Sequence, residues 1–104
     1  MTRFVHPATA DITLAGVLGA LADPVRLQII KRLLERRRGC LSCIEAAADT
    51  AIAKSTLSHH FRILREAGLI RTEREGVENR NSVRCEDLNR RFPGLLAAIM
   101  KFQV

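Results

Sequence analysis

Apolar side chains recur at helical spacing in several stretches of the 104-residue chain and alternate with polar ones in one later stretch. Asp23 and Pro24 predict the N-cap and first turn of a core helix that ends near ERRRG, residues 35–39. Residues 11–22 are apolar on nearly all sides, and so is the final piece, 93–104, which follows a break at Pro93 in the last helical region. These two regions carry more apolar surface than one small core can cover.

A helix-turn-helix is predicted over about residues 42–67. Ser42 and Glu45 form a capping box that starts a short helix ending near residues 48–50. A second helix follows and closes at Gly68. At about 100° per residue, one of its sides carries Leu57, His60, Phe61, Leu64 and Ala67. The opposite side carries Ser55, Ser58, His59, Arg62 and Glu66.

The alternating stretch predicts a β-hairpin over about residues 69–85. LIRTERE and NSVRC are its strands, and GVENR is predicted as a long tip flanked by Arg74 and Arg80. The predicted fold class is therefore mainly α with a small β-hairpin. Residues 1–104 are expected to form a single winged helix-turn-helix domain, with 11–22 and 87–104 as dimer helices, so that a charge at Leu96 or Ile99 should separate the dimer.

Charge favours nucleic acid as the partner. The chain has 17 Lys and Arg against 11 Asp and Glu, a formal net charge of +6. Apolar runs fall short of the ~20 residues that a membrane span needs, and the N-terminus does not resemble a signal peptide. We therefore expect a cytoplasmic protein without a membrane partner.

The polar side of the second helix is the candidate DNA-binding surface. Small hydroxylated residues in the first turn let a helix approach the major groove closely, and no acid occurs between Lys54 and Arg65. A merely solvated face usually mixes both signs of charge. The predicted DNA contacts are Lys54, Ser55, Thr56, Ser58, His59 and Arg62, with Arg74 and Arg80 from the hairpin. His60, on the apolar side, is predicted to be a packing residue.

Two motifs resemble the ArsR/SmtB family of bacterial transcriptional repressors. LADPVRLQIIKRLLE resembles the family's core helix and KSTLSHHFRILREAGLIRTEREG its recognition helix, within a similarity that covers about residues 15–88. The resemblance implies a homodimer formed by the first and last helices. It also implies that this dimer binds an operator in double-stranded DNA and leaves it when an inducer binds. It implies neither a cofactor nor an enzymatic activity.

The cysteines leave the inducer open. Many family members carry metal ligands in the third or last helix, but residues 86–104 contain no His or Cys. The arsenic-sensing branch has Cys-x-Cys at the start of its third helix, and Cys40 and Cys43 match that pattern only in part, as Cys-x-x-Cys. With Cys85 they could form a thiol switch or a metalloid site. Ordinary cysteines without such a function are favoured, because nothing in the sequence brings Cys85 near Cys40.

Two other functions remain as alternatives. A winged helix can serve as a protein-interaction module, although the acid-free helix face would then be coincidental. A thiol oxidoreductase using Cys40 and Cys43 is disfavoured because the βαβ pattern that normally surrounds such a motif is absent from the sequence.

Overall fold

The computed structural model describes residues 4–35, 40–42 and 52–102. A 3-10 turn at Thr9–Asp11 precedes the first helix. The elements that follow are α1 (Leu14–Leu21), α2 (Pro24–Glu35), β1 (Cys40–Ser42), α3 (Lys54–Glu66), β2 (Ile70–Glu75), β3 (Glu78–Val83), α4 (Cys85–Arg91) and α5 (Leu95–Lys101).

Local capping groups determine where the first two helices begin. Thr13 Oγ1 accepts a hydrogen bond from the Gly16 amide at 3.0 Å, so α1 starts after Thr13 and not at Asp11 as the apolar pattern predicted. The Asp23 carboxylate accepts from the Val25 and Arg26 amides at 2.9 and 3.1 Å. The prediction that Asp23 and Pro24 start the core helix is confirmed.

β2 and β3 form an antiparallel hairpin, which we call the wing. Its register runs from Ile70 opposite Val83 to Glu75 opposite Glu78, so that only Gly76 and Val77 form the turn. The predicted long tip, GVENR, is therefore wrong, because its last three residues belong to β3. Gly76 has a φ of +64°, a value that glycine adopts readily and that suits a two-residue hairpin turn.

A third strand extends the sheet in a way the sequence did not indicate. β1 pairs with β3 on the side opposite β2, with Leu41 opposite Asn81, giving the strand order β1-β3-β2. The sequence did not predict β1 because three residues are too few to show an alternation of apolar and polar side chains. Ser42, the predicted helix cap, is the last residue of β1. The rest of the predicted short helix lies outside the described residues.

The core lies between the sheet and helices α1 to α5. α3 contributes Leu57, Phe61 and Leu64, each at most 2% exposed, and this confirms the predicted apolar side of the helix. The core also includes Ile12, Val17, Ile30, Leu33, Leu69, Ile70 and Leu88. Leu96 of α5 is only 6% exposed and belongs to the same core. Leu96 is therefore the wrong place for a charge intended to separate a dimer, since it would destabilise the protomer itself.

The C-terminal helices leave apolar side chains at the surface, as the sequence indicated. α4 and α5 are separated at Pro93 and Gly94, which confirms the predicted break. The exposed large apolar residues of α1 and of the C-terminal end are Leu14, Leu18, Met100 and Phe102. Among the helices of the described residues, none has both the length and the apolar character required to cross a membrane.

Candidate nucleic-acid interface

α3 presents a polar, basic face opposite its buried side. The six side chains predicted to meet DNA are all exposed: Lys54, Ser55, Thr56, Ser58, His59 and Arg62. The first acid along the helix is Glu66, in its last turn, and its Oε1 lies 3.8 Å from Nε of Arg62. Both side chains are more than 60% exposed, so this ion pair contributes little to stability. The structure thus brings the helix residues of the candidate surface onto one accessible face.

Arg26 fixes the back of α3 to the first two helices. Its Nε donates to the Ala20 carbonyl at 2.6 Å, and its Nη1 lies 3.3 Å from Nδ1 of His60. Because a guanidinium can only donate, Nδ1 of His60 acts as the acceptor and the ring is neutral. Burial lowers the pKa of His60, and the opposing charge of Asp23 does not reverse this shift, to which the charge of Arg26 adds. His60 is half-buried in this contact, as expected of a packing residue.

A buried polar network connects α3 to the wing. Arg65 Nη1 donates to Thr72 Oγ1 at 3.2 Å, and the Thr72 hydroxyl donates to Asn81 Oδ1 at 2.7 Å. Thr72 is 4% exposed and Asn81 is fully buried, where such bonds are strengthened by the low dielectric. The network fixes the direction of the wing relative to the polar face of α3. Sequence reasoning missed it, although cross-strand pairing of a threonine and an asparagine was a possible signal.

The N-terminal segment, residues 4–9, is held against α3, the wing and α4. The ring of Phe4 lies 4.6 Å below the Arg65 guanidinium. His6 Nε2 accepts from the Thr72 amide at 2.9 Å, on the free edge of β2. The Pro7 carbonyl accepts from Arg84 at 2.8 Å. This arrangement could not be predicted from local sequence patterns, because the contacts join residues more than 60 positions apart.

Asp87 anchors the far end of the same segment. Thr9 Oγ1 donates to Asp87 Oδ1 at 2.7 Å, and Arg84 Nε donates to Asp87 Oδ2 at 2.9 Å. These hydrogen bonds, that of Thr9 first, lower the pKa of Asp87. The Arg84 side chain is 3% exposed, so its charge is buried together with a partner.

Protonation of His6 should loosen this attachment. Burial, then the charges of Arg71, Arg84 and Arg65, lower the pKa of His6 below 6.5, and the smaller opposing effect of Glu73 does not reverse this. The unfolded chain therefore takes up the proton at higher pH than the folded chain. The contribution to stability is complete above pH 6.5 and is lost as the pH falls through the folded-state pKa.

Urea unfolding between about pH 8 and pH 5 measures this effect. We expect the free energy of unfolding to fall with pH below 6.5, and to fall less steeply in His6→Gln, whose amide oxygen can accept from Thr72 without titrating. The lowered pKa of His60 contributes equally to the dependence of unfolding free energy on pH in the wild type and in His6→Gln. Identical slopes in both proteins would contradict the role given to His6.

The two predicted wing arginines differ in their surroundings. Arg74 is exposed, and its Nε donates to the Gly76 carbonyl at 3.0 Å, at the turn of the hairpin. The Arg80 side chain is 22% exposed and lies between two carboxylates, at 3.7 Å from Glu75 and 3.5 Å from Glu78. Arg74 is thus more accessible to a phosphate than Arg80.

The cysteines are only partly described. Cys85 is exposed at the start of α4, but partial burial raises its pKa, which disfavours the reactive thiolate. The backbone of Cys40 pairs with Ser82, three residues before Cys85, a proximity that the sequence did not indicate. Cys43 lies outside the described residues. Among the described residues, no group of three or more His, Cys, Asp or Glu side chains is placed to hold a metal ion.

Comparison with known proteins gives consistent results. A helix-turn-helix domain family model matches residues 21–73. The uncharacterized HTH-type transcriptional regulator YceK of Bacillus subtilis is 36% identical over 85 residues, which are 82% of this chain and 84% of that protein. The transcriptional repressor SmtB of Mycobacterium tuberculosis is 36% identical over 63 residues, 60% of this chain and 44% of the repressor. The crystal structure of an ArsR family transcriptional regulator, 22% identical, has the same fold, with a TM-score of 0.64 over 96% of this chain and all of that one.

Proposed function

Because the chain belongs to the ArsR/SmtB family of helix-turn-helix transcriptional regulators, we propose that it is a homodimeric repressor that binds an operator in double-stranded DNA and is released by an inducer. The observation that carries this proposal is the exposed face of α3, which has no acid from Lys54 to Arg65. Such a regulator acts in the cytoplasm by binding, without a catalysed reaction.

The residues of α3 divide by position along the helix. Lys54, Ser55 and Thr56 lie at its N-terminal end, where amide groups and a positive side chain suit phosphates. Ser58, His59 and Arg62 lie further along the exposed face and are proposed to reach base edges in the major groove. Leu57 and Phe61 keep this face directed outward because they are buried on the other side.

A mobility shift with the DNA upstream of the protein's own operon tests the function. We expect a discrete complex at moderate salt that a scrambled duplex of equal length does not form, because base contacts discriminate between sequences. If neither duplex is bound, DNA recognition is wrong and the protein-interaction alternative gains support. Equal binding of both duplexes would contradict sequence-specific recognition while leaving DNA binding intact.

Three arginine substitutions test the assignment of individual contacts. Arg62→Ala should weaken operator binding by about 1–3 kcal/mol and reduce discrimination between sequences. Arg74→Ala should weaken binding to all duplexes and lower the salt slope by about one unit. Arg80→Ala, the matched control on the same wing, should have a smaller effect because Glu75 and Glu78 already hold this side chain. Full affinity in all three variants, measured by fluorescence anisotropy at several salt concentrations, would contradict both contact surfaces.

The cysteines enter this proposal only as a test. We expect the reduced protein to bind its operator without added metal and to retain that binding when Cys40 and Cys43 are both replaced by serine. Release of the wild type by arsenite, zinc or peroxide, with no release of the double variant, would instead identify a thiol-based inducer site.

A further inference from the structure

A groove of about 390 Å³ lies between the N-terminal segment and the C-terminal half of α3. This volume is at the lower end of the range, ~300–1,000 Å³, that small-molecule sites occupy. One wall is apolar and the other is charged; the lining residues that matter below are Phe4, Val5, Pro7, Arg62, Arg65 and Glu66.

The apolar wall is held in place on both sides of Val5, because the Phe4 ring also lies against the Arg65 guanidinium. His6 is bonded to the edge of the wing and Pro7 to Arg84, so the segment has a fixed course past α3. Val5, between these attachments and Phe4, is 83% exposed. Together with Phe4 and Pro7, which line the same groove, this exposed valine forms one contiguous apolar surface that a ligand can cover.

The charged wall favours an anion. It contains two guanidinium groups and one carboxylate, and the His6 ring adds no positive charge because its Nε2 accepts a hydrogen bond from the Thr72 amide. Arg62 is 61% exposed and faces Glu66 at 3.8 Å, a weak contact that a better-placed carboxylate can replace with two parallel hydrogen bonds. The Arg65 guanidinium lies over the Phe4 ring and donates to Thr72, and its positive charge adds to that of Arg62 at the groove.

We propose that this groove binds a small organic carboxylate with an apolar body, and that this ligand is the inducer. The carboxylate pairs with Arg62, and the apolar body lies against Val5, Phe4 and Pro7. This inference rests on the proposed function for its regulatory part, whereas the binding site itself does not depend on it.

The coupling to DNA follows from the position of Arg62. The same guanidinium belongs to the exposed face of α3 and to the groove, so it cannot serve a phosphate or base and a ligand carboxylate together. The ligand also brings negative charge to a surface that meets a polyanion. Linkage requires that DNA weaken ligand binding by the same factor by which the ligand weakens DNA binding.

The site is tested without DNA on the full chain, by following amide resonances in NMR during titration with 2-naphthoate. We expect saturable shifts at residues 4–7 and 62–66, with binding about tenfold tighter than that of neutral 2-naphthamide or of acetate, which lack the charge and the apolar body respectively. Equal affinity for 2-naphthoate and 2-naphthamide, or shifts outside these residues, would overturn the site.

Two substitutions separate ligand binding from general damage. Glu66→Gln removes the competing carboxylate and should tighten 2-naphthoate binding severalfold, a gain that misfolding cannot produce, whereas Arg62→Gln should abolish it. In the presence of operator, 2-naphthoate should lower the affinity of the wild type for DNA about tenfold or more. If operator binding is unaffected when 2-naphthoate saturates the groove, the inducer role is overturned. If the protein does not bind the operator at all, the proposed function is rejected, and the titration without DNA still decides whether the ligand site exists.

Discussion

Replacing Gly68 with alanine should destabilise the protein by about 2–5 kcal/mol, because the new methyl group meets both a backbone and a packing penalty. Gly68 ends α3 with a φ of +87°, which side-chain-bearing residues rarely adopt. A Cβ built there would lie 2.5 Å from Cγ1 of Ile12, a core residue that is 1% exposed and therefore has little room to move. Urea unfolding followed by circular dichroism, at one protomer concentration, measures the loss.

Gly76→Ala is the matched control for Gly68→Ala. Its φ is also positive, +64°, but a Cβ there has no atom within 4 Å, so only the backbone penalty of about 1–2 kcal/mol applies. Combining Gly68→Ala with Ile12→Ala should cost less than the sum of the two single changes, because the shortened side chain makes room for the methyl group. Equal destabilisation by Gly68→Ala and Gly76→Ala would show that the contact with Ile12 contributes nothing.

Replacing Leu18 with lysine should convert the proposed dimer to monomers at micromolar concentration and weaken operator binding about 10²–10⁴-fold, because the second half-site is then no longer bound as part of one molecule. Leu18 is 48% exposed on α1, an apolar side chain that the protomer's core does not use fully. Lysine is a good helix former and adds positive charge, so neither helix loss nor repulsion from DNA would explain weaker binding.

Val5→Lys adds the same positive charge at a position that is 83% exposed and outside both proposed dimer helices. Sedimentation should show a dimer for the wild type and Val5→Lys and a monomer for Leu18→Lys. A Leu18→Lys protein that remains dimeric would place the interface elsewhere, and a monomeric wild type would rule out the dimer altogether.

The candidate site was predictable from the sequence as far as α3 itself. The helical spacing places Leu57, Phe61 and Leu64 on one side of the helix. It places Ser55, Ser58 and Arg62 on the other side, so burial of the apolar side leaves the polar side exposed. The surroundings of Arg62 were not predictable. Phe4 and Val5 lie beside it only because His6 and Pro7 bond to Thr72 of the wing and to Arg84, the residue before α4, 66 and 77 positions away.

The sequence alone determined the start of α2 at Asp23 and the end of α3 at Gly68. Each depends on hydrogen bonds between groups within four residues of one another. Tertiary structure alone decided the pairing of β1 with β3, the burial of Leu96 and the network from Arg65 through Thr72 to Asn81. These features depend on which distant segments meet, and the periodicity of a single segment carries no information about its partner. The exposed face of α3 was therefore determined by the sequence, whereas the groove beside it was determined by the packing of the N-terminal segment against α3 and the wing.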